Sequence, residues 1–123
     1  KNIVLSESFG FTGGFNAVQK LIKQNKEIPE VVLAGSDDIA LGVMKGLSNM
    51  GYKIPEDIQV IGFDNIAFSQ HFSPALTTIA QDRKLLGETA AKMLIRLIES
   101  PEDEIEEIIT LPVKLIERES TKK

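Results

Sequence analysis

The sequence predicts an α/β protein with a parallel sheet in a three-layer α/β/α arrangement. Short β-branched runs at residues 3–5, 31–34, 58–63 and 76–79 alternate with stretches whose apolar residues recur every three or four positions. The runs at 31–34 and 58–63 are continuously apolar, as in strands covered on both faces. Strand and helix alternating at this spacing make right-handed crossover units, which place successive strands parallel.

Each element follows from local signals. Ile3, Val4 and Leu5 form a first short strand, and residues 6–10 a loop. Thr12 is the expected N-cap of a helix entered through Gly13 and Gly14, on which Phe11, Phe15, Val18 and Ile22 share a face. Pro29 ends that stretch, and residues 31–34 make the next strand. Ser36 or Asp37 caps a second helix with Ala40, Val43, Met44 and Leu47 on one face, closed at Gly51. Pro55, Glu56 and Asp57 are turn residues before the strand at 58–63, which ends at Asp64-Asn65. A short helical or irregular piece runs through Phe72, and residues 76–79 return to strand. Asp82 caps a long helix bearing Leu86, Ala90, Met93, Leu94 and Leu97, which Ser100-Pro101 stops. The acidic run 102–107 reads as a solvated turn, and residues 108–111 and 113–116 as terminal strands around Pro112.

Composition narrows the function. The 123 residues have room for one compact domain, and 42% hydrophobic with 26% charged residues is ordinary for a globular chain. A net charge of -4 gives no reason for broad binding to nucleic acid or anionic lipid. The absence of cysteine removes disulfides, thiolate catalysis and Cys-based zinc sites, and a single histidine removes multi-histidine metal sites. No apolar run approaches a membrane span, and residues 1–6 are too short for a secretory signal. The expectation is a cytoplasmic protein with no cofactor and no membrane partner; a start without methionine suggests a piece of a longer chain.

In open α/β sheets, ligands sit beyond the carboxyl ends of the strands. Three such ends are polar here: residues 6–10, 36–38 and 64–65. Asp37, Asp38 and Asp64 could meet there around a magnesium ion. No nucleophile or lysine stands at a neighbouring strand end, however, which favours helix capping or sugar binding over metal catalysis. His71 has Ser69 and Ser73 nearby, but neither lies on a strand-to-helix elbow, so a surface or interface histidine is expected. Gly10, Gly13 and Gly14 fit no phosphate-loop spacing and serve to enter a helix. Phe11, Phe15 and Phe63 read as core. Phe9, between loop segments at the ligand edge, is either core or a surface for stacking on a sugar ring or base. Ile39 and Leu41 lie off the main stripe of the second helix, and Gly42 and Gly46 permit close approach. That helix is either buried all round or meets another subunit, with Phe68 and Phe72 able to join the same patch.

The segments at 34–43 (AGSDDIALGV), 51–58 (GYKIPEDI), 60–65 (VIGFDN), 74–79 (PALTTI) and 118–121 (REST) resemble the lactose/galactose repressor (LacI/GalR) family, in order and over nearly the whole chain. These transcriptional regulators carry an effector-binding core similar to periplasmic sugar-binding proteins. The resemblance implies one subdomain of a periplasmic-binding-protein-like fold, from the carboxyl-terminal part of a repressor, without its helix-turn-helix and most of its first core subdomain. It implies a binding protein, not an enzyme. Residues 1–76 would be the effector-binding and dimerisation subdomain, 77–111 a segment belonging to the amino-terminal core subdomain, and 112–123 the return.

Carried over by position, Phe9 matches the aromatic that stacks on the effector and Asp64 the carboxylate that accepts from its hydroxyls. Ser36, next to Asp37, stands where many members have asparagine, which changes the hydroxyl pattern read there. Gln81 falls near the crossover between subdomains. Together these make Phe9, Ser36, Asp37, Asp64 and Gln81 the expected effector site. Ile39, Leu41, Lys45, Phe68 and Phe72 make the expected interface of a homodimer. The implied partners are a small sugar-like effector, a second copy, and operator DNA through the missing domain. A free-standing sugar receptor of the transport type is the alternative. The apolar excess at Leu86, Met93, Ile95 and Ile98 suits a helix meant to be covered, so here it should pack on the remaining sheet, pair between subunits, or be mobile.

Overall fold

The computed structural model describes residues 3–24, 28–100 and 108–122. The helices are α1 (Phe11–Gln24), α2 (Asp37–Asn49) and α3 (Arg83–Glu99), and a 3-10 turn covers Ala67–Gln70. The strands β1 (Val31–Leu33), β2 (Gln59–Phe63), β3 (Thr77–Gln81) and β4 (Val113–Ile116) lie in that order across one mixed sheet. Strands β1 and β2 are parallel, with Val31 opposite Gln59 and Leu33 opposite Ile61. Strands β2 and β3 are also parallel, with Ile61 opposite Thr77 and Phe63 opposite Ile79. The α/β class and the parallel order expected from the sequence are therefore present. The acidic run 102–107 lies outside the described residues.

The chain divides into two compact units, Lys1–Ala80 with Leu115–Lys123, and Gln81–Lys114. The first holds the core, in which Val18, Ala40, Val43, Met44 and Leu47 of the helices meet Ile58, Val60 and Leu76. Helices α1 and α2 cross with backbone against backbone. A methyl group added at Gly42 would fall on the Phe11 carbonyl oxygen, and one at Gly14 on that of Ile39. The face of α2 that carries Gly42 and Gly46 is thus covered by α1.

Several local expectations are corrected. Residues 3–5 form no strand. The space beside β1 is instead an apolar cavity of about 430 Å³, lined by Val4, Leu5, Val18, Leu21 and Val31–Leu33. Without a neighbour on that side, β1 is the sheet edge and leaves Val31 and Leu33 exposed, so it is not covered on both faces. Helix α1 begins at Phe11, one residue before the expected cap Thr12, because the Gly10 carbonyl already accepts the Gly14 N–H (3.1 Å). Phe11 is exposed rather than core. Residues 108–111 form no strand. In the second unit, Asp82 caps α3 as expected, its carboxylate accepting the Leu85 N–H at 2.9 Å. No residue of α3 is buried, so its apolar side chains are not packed into a core within the chain.

Candidate functional site

Because β1 and β2 run parallel and in register, their carboxyl ends open on the same sheet edge. Ser36 follows β1 there and Asp64 follows β2. Ser36 is extended and caps α2, its Oγ accepting the Ile39 N–H at 3.3 Å. That leaves the hydroxyl proton free to donate outward. Asp64 and Asn65 both adopt positive φ, 108° and 51°, a conformation costly for residues with a Cβ. The turn reverses sharply at the end of β2, with the Asp64 N–H on the Ile79 carbonyl (2.9 Å).

Phe9 stands in the segment that leads into α1. Glu7 of that segment pairs with Lys20 one face along the helix, and Ser6 Oγ donates to the Ser8 carbonyl. The Lys20 ammonium, first by its hydrogen bond and then by its charge, holds the Glu7 carboxyl below the usual glutamate range. The Gly14–Ile39 approach sets the first turns of α1 against the start of α2, three residues from Ser36. The Phe9 ring itself is 96% exposed. An open aromatic face, a hydroxyl and a carboxylate suit a polyhydroxylated ring: the aromatic covers its apolar face, and the carboxylate accepts from its hydroxyls.

Asp37 does something else. It is fully buried, with Oδ1 accepting from the Thr78 hydroxyl and Oδ2 accepting the Ile66 N–H at 2.9 Å. Both oxygens are committed inside the protein, so its expected contact with an effector is corrected to a link between α2 and the turn after β2. Leu41, expected at a subunit interface, is 2% exposed and belongs to the core. Of the other interface candidates, Ile39 and Phe72 are half-buried and pack on the core, and Lys45 is exposed. Phe68 is 60% exposed and meets Phe72 edge-on, ring centres 6.3 Å apart. Gln81 ends β3, half-buried, and is the first residue of the second unit.

The alternative chemistries find no support among the described residues. No group of three acidic or histidine side chains could hold a metal ion. Ser69 is buried, donating to the Ile66 carbonyl (2.7 Å) and accepting from Arg118 (3.1 Å), while His71 is exposed beside Gln70. No helix among the described residues is long and apolar enough to cross a membrane.

Sequence reasoning missed the residues that fix the rim. Thr78 accepts the Asn65 N–H (3.3 Å), and Arg118 donates to Asn65 Oδ1 (2.7 Å). Ser120, fully buried, donates to the Val60 carbonyl (2.6 Å) and accepts the Thr77 N–H (2.8 Å), joining β2 to β3. Each is a small polar or charged side chain more than forty residues from a partner, a pairing that no local pattern announces.

Residues 5–121 match the periplasmic binding protein-like domain. An HTH-type transcriptional repressor, PurR, of Erwinia tasmaniensis is 42% identical over 107 residues, 87% of this chain but 31% of the repressor. A LacI family transcriptional regulator of Enterococcus faecalis V583, solved with bound ribose, is 44% identical with a TM-score of 0.78, over 93% of this chain and 41% of that one. The lac repressor dimer bound to operator and the anti-inducer ONPF is 31% identical with a TM-score of 0.78, over 91% of this chain and 38% of that one. This chain therefore spans about a third of the curated repressor it matches. With the family model covering nearly every residue and the topology shared with these regulators, the chain belongs to the periplasmic binding protein-like domain family, in its LacI/GalR repressor branch.

Proposed function

We propose that this chain is part of the effector-binding core of a LacI-type transcriptional repressor and supplies one wall of its effector cleft. In this reading Phe9 stacks on the effector ring, Asp64 accepts from its hydroxyls, and Ser36 donates one hydrogen bond. The observation that carries it is the common sheet edge of Ser36 and Asp64, set by the parallel register of β1 and β2. The exposed Phe9 ring at the entrance to α1 supports it further. The effector is a sugar or a related small metabolite, and the Enterococcus faecalis regulator solved with ribose makes D-ribose the first to test.

The working protein is a homodimer that binds operator DNA through a separate helix-turn-helix domain, in the cytoplasm and without catalysis. Residues 77–111 belong to the amino-terminal half of the effector core. Control is by population shift: effector favours one arrangement of the two core halves, only by as much as its affinities for the two arrangements differ. At the dimer surface, Phe68, Phe72 and Lys45 remain available, whereas Leu41 does not.

The test is calorimetric titration of D-ribose into the full-length regulator carrying this sequence, with and without operator. Binding that weakens in Asp64→Asn and Phe9→Ala, and that changes operator affinity, is expected. Ribose binding unaffected by both substitutions would overturn the assignment of the cleft wall.

A further inference from the structure

The turn that presents Asp64 is restrained from several elements, one of them at the far end of the chain. Asp64 and Asn65 hold consecutive positive φ values: Asn65 at 51° lies in the left-handed region that asparagine tolerates, and Asp64 at 108° lies beyond it. Four attachments surround the turn. Asn65 N–H reaches Thr78 Oγ1, Ile66 N–H reaches Asp37 Oδ2, Asp64 N–H reaches the Ile79 carbonyl, and Asn65 Oδ1 takes a hydrogen bond from Arg118 Nη2 at 2.7 Å. The first three come from elements packed directly beside the turn. The fourth comes from a residue 53 positions away.

Arg118 is itself fixed on several sides. Its Nη1 donates to the Leu76 carbonyl (2.7 Å) and to Ser69 Oγ (3.1 Å), and its backbone N–H donates to Thr77 Oγ1 (2.8 Å). Ser69 in turn donates to the carbonyl of Ile66, the residue that closes the turn. The planar fork of a guanidinium reaches Asn65, Ser69 and Leu76 at once, which a lysine ammonium on a flexible stem does not reproduce. The Asn65 side-chain amide oxygen accepts from Arg118 while its backbone holds φ of 51°, so losing the guanidinium removes one of the restraints that keep the turn in this form.

We propose that Arg118 is a positioning residue for the effector site: it holds the Asp64–Asn65 turn in its strained form and so sets where the Asp64 carboxylate is offered. This rests on the effector reading of Asp64 given above. In this role Arg118 acts through Asn65 and not by contact with the effector. Its contribution is to remove the freedom that Asp64 would otherwise lose on binding.

Two measurements on Arg118→Gln and Arg118→Lys test it, with Ile58→Val as a control that loosens the core away from the turn. The first is amide hydrogen exchange in the full chain. Faster exchange at Asn65 and Ile66 in both arginine variants than in the control, at equal global stability, is expected; equal exchange overturns the proposal. The second is D-ribose titration of the full-length regulator. Arg118→Gln should weaken binding about tenfold and have no further effect in an Asp64→Asn background, while Ile58→Val leaves affinity unchanged. Additive losses from Arg118→Gln and Asp64→Asn would overturn the coupling. If wild type binds no ribose, the choice of ligand fails and the turn amides alone decide on Arg118. Should Arg118→Gln not fold, Arg118→Lys carries both measurements, since it keeps the charge and loses only the fork.

Discussion

Asp37 Oδ2 accepts the Ile66 N–H at 2.9 Å, tying the first residue of α2 to the turn after β2 across 29 residues of chain. This contact joins the two loops that bear Ser36 and Asp64. The buried side chain, at the start of a helix, is held by the Thr78 hydroxyl and the Ile66 amide.

Removing that carboxylate should therefore be severe. Asp37→Ala leaves a buried hydroxyl and a buried amide without acceptors and should cost about 3 kcal/mol. Asp37→Asn keeps one acceptor and should cost less. Urea denaturation monitored by circular dichroism measures both, and equal stability of Asp37→Ala and wild type would contradict a structural role.

The crossing of α1 and α2 makes the glycines behave differently by position. Gly42→Ala places a methyl on the Phe11 carbonyl oxygen and should destabilise by about 3 kcal/mol or more. Gly46→Ala meets Val18 Cγ2 at 2.9 Å and the Phe15 carbonyl oxygen at 3.1 Å, a looser fit than at Gly42, and should cost less. Gly87→Ala on α3 meets nothing within 4 Å and should strengthen its helix by up to about 1 kcal/mol. Thermal melts of the three variants should fall in that order.

Leu41 and Phe68 separate core from surface. Leu41→Ala should lose about 2–5 kcal/mol of folding stability, because it leaves a cavity in the core. Phe68→Ala should change folding by about 0.5 kcal/mol or less and act on self-association instead. Denaturation paired with sedimentation distinguishes them. A Leu41→Ala chain as stable as wild type would return that residue to the interface.

Phe9→Ala should leave the melting temperature unchanged, since nothing covers the ring, while reducing D-ribose affinity of the full-length regulator about tenfold. A stability loss without an affinity loss would assign the ring to packing.

The Glu7–Lys20 pair predicts a pH response. Folding lowers the Glu7 pKa through the Lys20 hydrogen bond and charge. Its contribution is therefore present above the ordinary glutamate range and is lost as pH falls through the lowered value. Carboxyl titration by NMR should show Glu7 protonating below an ordinary glutamate, and Lys20→Met should move it back up. The pair is solvent-exposed, so global stability should change little.

The sequence by itself determined the order of the elements, because helix and strand announce themselves through local periodicity and caps. Ser36 and Asp82 cap their helices as their residue types predict, and the run at Ile58 is buried at its alternate positions. The parallel order of β1 and β2 was also legible, since a helix between two strands allows little else. Only the tertiary structure decided which face each residue served. Asp37 looked like a ligand-facing acid until its oxygens met Thr78 and Ile66, and Leu41 looked like an interface residue until packing buried it in the core. Residues 3–5 have the composition of a strand, yet a strand needs hydrogen-bonded neighbours, which composition does not supply. Arg118 and Ser120 show the same limit: their partners lie more than forty residues away, and that distance is closed only by the packed sheet.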